Sequence, residues 1–272
     1  MSWITARRRH PAAGYVILVL GLLLVGALYA SVTGAGTSAS ASPPATVAKA
    51  QITAGRQLFL QDCDSCHGFY AQGTSQAPGL IGVGSAAVNF QVSTGRMPAA
   101  EQGAENVQKP PRLNPKQTTE ISEYIGSLGG GPATPSDAQV STAGANVGLG
   151  QQLFSANCSA CHNFVGAGGA LTYGKFAPAL TQSTNRQIYE AMQTGPEAMP
   201  VFNDTTITPS EKRDIIAYVT ETRAEPNPGG FSLGRVGPVT EGLVAFLGVL
   251  LFMVLMAMWI TGKKKGDHGE ES

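Results

Sequence analysis

Residues 63–70 read CDSCHGFY, and residues 158–165 read CSACHNFV. Each stretch places two cysteines and a histidine at the spacing C-x-x-C-H. Together they use all four cysteines of the chain and two of its four histidines. Three chemistries compete for this spacing. A structural zinc site takes four ligands, usually cysteine or histidine. Each stretch offers three, and the adjacent Cys66 and His67 are awkward neighbours in one tetrahedron. A thioredoxin-type C-x-x-C belongs in a βαβ setting, and neither stretch has one. The third chemistry is covalent attachment of c-type haem. Both thiols then reach the two vinyl groups on one edge of the porphyrin, and the next residue turns beneath the iron as its ligand. Zinc and thiol redox chemistry lack their further requirements, so Cys63, Cys66, His67 and Cys158, Cys161, His162 are read as two haem c attachment sites.

Outward from the motifs the chain repeats itself. Gly55-Arg-Gln-Leu-Phe59 matches Gly150-Gln-Gln-Leu-Phe154, and Ala77-Pro78-Gly79-Leu80 matches Ala177-Pro178-Ala179-Leu180. Thr94-Gly95-Arg96-Met97-Pro98 resembles 194–200, TGPEAMP, with two residues inserted. Leu113-Asn114-Pro115 through Tyr124 matches Ile207-Thr208-Pro209 through Tyr218. The order is kept and the gaps fall in Gly-rich loops, as in a tandem duplication. Both copies read as helical. Thr208-Pro209-Ser210-Glu211 has an N-cap threonine, proline at the first helical position and glutamate where a capping box needs it, and Asn114-Pro115-Lys116-Gln117 follows the same logic. No alternating strand pattern is evident in either copy.

Two apolar runs flank the repeat, Tyr15–Val32 and Gly242–Ile260, each close to the ~20 residues that cross a hydrocarbon core. Arg7, Arg8 and Arg9 precede the first, and Lys263, Lys264 and Lys265 follow the second. The excess of basic residues on the cytoplasmic side then places both termini in the cytoplasm and residues 33–240 on the extracytoplasmic face of the cell membrane. A cleaved signal peptide is the alternative for the first run, and it delivers residues 33–240 to the same side. The expected plan is a tail 1–14, a transmembrane helix 15–32, a linker 33–50, a first unit 51–128, a linker 129–148, a second unit 149–223, a linker 224–238, a transmembrane helix 239–261 and a tail 262–272. The linkers, rich in Gly, Pro, Ser and Ala, read as flexible spacers.

The second axial ligands follow by elimination. The remaining histidines, His10 and His268, lie in the cytoplasmic tails and cannot reach a haem across the bilayer. In the extracytoplasmic region stand Met97, Met192 and Met199. Met97 is the sole methionine of the first copy. Met199 shares its Met-Pro dipeptide, whereas Met192 lies in a helical stretch, 186–193, and reads as a packing residue. Met97 and Met199 are therefore the expected distal ligands. A haem iron held by His and Met has no open coordination position, which points to electron transfer rather than catalysis at iron. Tyr70, Tyr173, Arg96 and Lys175 read as solvated loop residues.

Both copies resemble the class I cytochrome c family. The resemblance is carried by G-x-x-L-F (Gly55, Leu58, Phe59; Gly150, Leu153, Phe154), C-x-x-C-H, the Pro-x-Leu loop, the Met-Pro loop and a last helix with Tyr124 or Tyr218. It implies an all-α fold of two tandem cytochrome c domains, flanked here by two transmembrane helices. It further implies that the first and last helices of each domain cross at a Gly/aromatic contact. The carbonyl of Pro78 or Pro178 would accept the histidine's other N–H; both prolines also read as simple turn residues.

The whole plan of tail, span, two c-type units, span and tail resembles the di-haem cytochrome c subunit of actinobacterial cytochrome bc complexes. That resemblance implies cytochrome b and Rieske iron–sulfur subunits as partners, and delivery of electrons directly to a haem-copper oxidase. Residues 33–240 hold 12 basic and 14 acidic residues, a net charge of −2. Such a balance shows no strongly charged docking face, and no nucleic-acid partner is expected. A free membrane-anchored shuttle is the rival function, though one span would suffice for it. A di-haem peroxidase needs a switchable iron ligand, and no third histidine lies in the extracytoplasmic region 33–240.

Overall fold

A computed structural model describes residues 13–33, 45–99, 103, 105–224 and 238–263. The charged tails and most of the first and third linkers lie outside the described residues. Helix α1 spans Ala13–Thr33 and presents exposed apolar side chains over Gly14–Tyr29. That described stretch is shorter than the ~20 residues of a perpendicular crossing. The last helix is long and apolar enough to cross a membrane over the 23 residues Thr240–Gly262.

The first unit consists of α2 (Ala45–Asp62), α3 (Asp64–His67), α4 (Ser85–Ser93) and α5 (Pro115–Ser127). After a short α6 (Asp137–Val140), the second unit repeats this order with α7 (Val147–Asn157), α8 (Ser159–His162), α9 (Asn185–Thr194) and α10 (Pro209–Ala224). The chain ends in α11 (Pro238–Lys263). Helix α2 begins at Ala45, inside the expected linker. The second unit departs from an all-helical plan by a two-residue antiparallel ladder, β1 (Gly169–Ala170) on β2 (Phe176–Ala177). The loop after its histidine is longer than in the first unit, and the ladder folds the extra residues back.

One crossing organises each unit. Helix α2 packs on α5, and α7 on α10. A Cβ on Gly55 would run into the carbonyl oxygen of Glu120, and one on Gly150 into that of Asp214, so the backbones touch at these positions. Beside the contact Phe59 meets Tyr124 with ring centroids 5.5 Å apart, and Phe154 meets Tyr218 at 5.3 Å. Both phenylalanines are buried, and such burial stabilises by about 1.5–3 kcal/mol each. The starts of α5 and α10 are capped as their sequences demand. Gln117 N–H donates to Asn114 Oδ1 at 3.0 Å while Asn114 N–H donates back to Gln117 Oε1 at 3.0 Å. Thr208 N–H donates to Glu211 Oε2 at 2.7 Å, and Glu211 N–H returns a longer bond to Thr208 Oγ1 at 3.4 Å.

The segment 129–148 is not the flexible spacer its composition suggests. Ala86 N–H donates to Pro132 O at 3.1 Å and Thr134 N–H to Ser85 Oγ at 2.9 Å, which fastens its start to the first unit. Its remainder is fastened to the second. Arg186 reaches Pro135 O and Asp137, Arg213 donates to Ser141 O at 2.9 Å, and Asn146 N–H donates to Asp214 Oδ1 at 2.7 Å. Gly and Pro set its turns, while side chains distant in sequence satisfy its carbonyls.

The two units also touch directly, through the same helix of each copy. Helix α4 packs on α9. Gln187 Nε2 donates to Ser93 Oγ at 3.2 Å, and Asn89 faces Glu190, its amide nitrogen 3.1 Å from Oε1 when turned toward it.

Candidate functional site

Each C-x-x-C-H stretch lies on a one-turn helix, α3 or α8, directly after the long first helix. Cys63 N–H and Cys158 N–H donate to Phe59 O and Phe154 O, so the motif is anchored at the aromatic contact. The chain then loops back under the histidine. Gly73 N–H donates to His67 O at 2.7 Å, and Gly168 N–H donates to His162 O at 3.0 Å. Both glycines have positive φ, +87° and +80°, and a Cβ at either would strike the backbone beside Pro78 or Pro178. Only glycine fits there without strain.

This loop presents a prolyl carbonyl to each ring. His67 Nδ1 lies 2.8 Å from Pro78 O, and His162 Nδ1 lies 3.0 Å from Pro178 O. A carbonyl oxygen only accepts, so Nδ1 is the donating nitrogen of each ring, and Nε2 is the one left to act as a metal ligand. Burial lowers the pKa of His162, against the upward pull of the Pro178 bond. The ring is thereby held as the neutral, oriented imidazole that a metal takes, with the second-layer bond such ligands commonly have.

The first thiol of each motif is tuned away from ionisation. Burial, helped by Asp62 and Asp64, pushes Cys63 up to about 12, and burial pushes Cys158 up to about 11. An activated redox cysteine has the opposite shift, so neither Cys63 nor Cys158 is set up as one.

In the first unit Cys63, Cys66, His67, Pro78 and Met97 line one cavity of about 680 Å³, with Val92, Leu113 and Ile121 as apolar walls. That volume lies within the ~300–1,000 Å³ usual for cofactor pockets. In the second unit Cys158, Cys161, His162 and Pro178 line a cavity of about 150 Å³ together with both Met192 and Met199. The donor set for haem c, two thiols and an imidazole with a free Nε2 near a thioether, is thus present twice. The first pocket also fits such a group by volume. The second is narrower, and its walls must part to seat a macrocycle.

Met192 occupies the wall position that Val92 holds in the first unit. It is 2% exposed on α9, inside the cluster of Phe154, Ile188, Tyr189 and Ile216. Met199 lies in the loop after α9, as Met97 lies in the loop after α4, and each is partly buried against its core. The second loop is fixed by Phe202 N–H donating to Met192 O at 2.7 Å and by Lys212, whose Nζ lies 2.6 Å from Asp204 Oδ1.

Several residues at these sites escaped sequence reasoning. The second cavity is lined also by Phe90, Thr94, Arg96, Glu105 and Gln108, all from the first unit. Arg96, expected in solvent, is 7% exposed, whereas Tyr173 is 98% exposed, as expected of a loop tip. Glu190 is fully buried and burial raises its carboxyl to about 8. One signal was available for Glu190: it aligns with Phe90, a core residue of the first copy.

Residues 52–129 match the family described as "Cytochrome c", and residues 145–219 the family described as "Cytochrome C oxidase, cbb3-type, subunit III". Among curated proteins, the chain is 42% identical over 280 residues to a "Cytochrome bc1 complex cytochrome c subunit" from Corynebacterium diphtheriae, covering 94% of this chain and 96% of that one. It is 44% identical to the protein of the same name from Mycobacterium leprae, covering 88% of this chain and 86% of the relative. A shorter match, 36% over 99 residues and 32% of each chain, is to a "Cbb3-type cytochrome c oxidase subunit CcoP" from Rhodobacter capsulatus.

Proposed function

The chain belongs to the family of cytochrome c subunits of the cytochrome bc1 complex, and from that premise we propose that it relays single electrons from a Rieske protein to a haem-copper terminal oxidase. The quinol oxidised upstream is menaquinol, on other subunits of the complex. The observation that carries this reading is the duplicated site: two C-x-x-C-H motifs, each with its histidine Nδ1 bonded to a prolyl carbonyl, on units packed against one another.

Cytochrome c domains carry covalently bound haem c, which exchanges one electron at iron; this chain would carry two. Cys63 and Cys66 would hold the first and Cys158 and Cys161 the second, with His67 and Met97 as the residues that would ligate the first iron and His162 and Met199 the second. Each prolyl carbonyl accepts from the Nδ1–H of its imidazole and so leaves Nε2 as the nitrogen that would meet iron. The apolar walls, Val92 and Ile121 in one unit and Ile188 and Ile215 in the other, keep water from the metal and favour a raised potential. The first unit receives electrons and the second delivers them. The apolar stretches 15–32 and 239–261 anchor the chain as two spans, with both units on the extracytoplasmic face and both termini cytoplasmic. Partners are cytochrome b, the Rieske subunit and the oxidase.

Extraction of membranes in mild detergent tests this directly. The chain should copurify with the cytochrome b and Rieske subunits and with the oxidase, and quinol should reduce the oxidase without added soluble cytochrome. In the Met97→Ala complex that transfer should slow while artificial donors still reduce the second site. A partner-free preparation would instead make the chain an independent shuttle.

A further inference from the structure

The two cavities share one wall, and a single strip of the first unit forms it. Met97 lines the first cavity and Arg96 the second. Asn106 lines the first, while Glu105 and Gln108 line the second. Neighbouring residues on this strip thus face different sites. Arg96 is the only arginine or lysine on the second cavity's described lining.

Its environment is unusual for a guanidinium. The side chain lies over the Phe90 ring, 5.0 Å from the centroid, and burial lowers its pKa. Glu197 and Glu105 act on it electrostatically, yet among the described residues it closes no ion pair or hydrogen bond with either. Both carboxylates are engaged elsewhere: Glu105 Oε2 accepts from Phe176 N–H at 3.0 Å, and Glu197 Oε1 accepts from Asn106 Nδ2 at 3.3 Å. A buried guanidinium with five donors calls for an anionic partner, and its planar fork matches a carboxylate. Haem carries two carboxylate side chains. Met97, next in sequence, faces the other cavity, and Arg96 is not among the residues that line it. The second copy returns no such cation, because Pro196 stands where Arg96 stands in the first.

We propose that Arg96, a residue of the first unit, is part of the second unit's haem site, where its guanidinium meets a haem carboxylate and holds the potential of that site up. This rests on the reading that the second pocket binds haem c. The sign follows from charge: oxidised haem is one unit more positive than reduced haem, so a nearby cation favours the reduced form. Arg96 is a positioning and tuning residue that acts on a haem carboxylate, not as a ligand to iron.

The test uses the full chain in its purified complex. Intact mass gives haems per chain, and a spectroelectrochemical titration resolves the two potentials. A Met97→His variant, which moves only the first site's wave, assigns them. Arg96→Gln should keep two haems, shift the second-site potential negative and leave the first in place; Arg96→Lys should shift it less. Glu105→Gln, which removes a negative charge from the same cavity, should move the second-site potential positive and covers the case in which Arg96→Gln does not fold. An unchanged second-site potential in Arg96→Gln, a shift confined to the first site, or a negative shift in Glu105→Gln would overturn the proposal. One haem per wild-type chain, read from the mass alone, would overturn the underlying reading of the second pocket.

Discussion

In the first unit, the helix facing the other copy carries Phe90 and Val92, and the pocket beside it measures about 680 Å³. In the second unit the same positions hold Glu190 and Met192, and the pocket measures about 150 Å³. Thr118 on α5 corresponds to Lys212 on α10, and Arg96 to Pro196. Against these differences stand features shared nearly atom for atom: glycine at the helix crossing, the Phe–Tyr contact at 5.5 and 5.3 Å, and the His–Pro bond at 2.8 and 3.0 Å. Backbone contact and ligand orientation tolerate no substitution, whereas the surfaces by which the copies meet have different neighbours to satisfy. Duplication has kept the site-forming frame and diverged around it, at the shared boundary and within the second unit's own core.

The frame should fail alike in both copies. Gly55→Val or Gly150→Val drives a side chain into a helix backbone and should cost more than about 4 kcal/mol. Each variant should lose the haem and protease resistance of its own unit, read by mass and limited digestion. Tolerance of Gly150→Val alone would mean that the second unit does not depend on the crossing.

The boundary should fail differently. Glu190 has its carboxyl raised from 4.5 to about 8, chiefly by burial. Between those values the folded chain holds a proton that the unfolded chain releases, so stability falls as pH rises, by at most about 1.4 kcal/mol per pH unit. Below about 4.5 this contribution is fully present, and above about 8 it is lost. Glu190→Gln should flatten the slope in urea unfolding across that window. Phe90 gives the first unit no such term, and an unchanged slope in the variant would place the pH response elsewhere.

Lys212 is fully buried, bonded to Asp204 and 5.3 Å from the Tyr189 ring centroid. Lys212→Ala should cost about 2 kcal/mol, less than the ~3–5 of a wholly buried pair because the Asp204 carboxylate is half exposed and can rehydrate. Thr118→Ala should cost less, about 1 kcal/mol. Equal shifts in urea midpoint would remove this contrast between the copies. Smallest should be Met192→Leu, a volume-conserving change expected to cost under about 1.5 kcal/mol and to leave both far-red methionine–iron bands in place. Met199→Leu should abolish one of them. The reverse result would exchange the roles of the two methionines.

What sequence could reach was local. Asn114 and Gln117, or Thr208 and Glu211, are three residues apart, so their caps were legible; so were the motifs, the repeat and the Met-Pro loops. The course of 129–148 was not, because the side chains that bind its carbonyls, Arg186 and Arg213, lie about 50–70 residues away. Nor was the shared wall. A loop arginine beside a ligand candidate reads as solvated until the second copy is seen to cover it, and neither repeat contains that information by itself. The 169–177 hairpin likewise has two-residue strands, too short for any alternation to register.

The most direct test is the intact and peptide mass of the chain purified with its complex. Two covalent haems should be found, one on a peptide holding Cys63 and Cys66 and one on a peptide holding Cys158 and Cys161. A single haem, or unmodified thiols in either motif, would contradict a relay built from two sites in series.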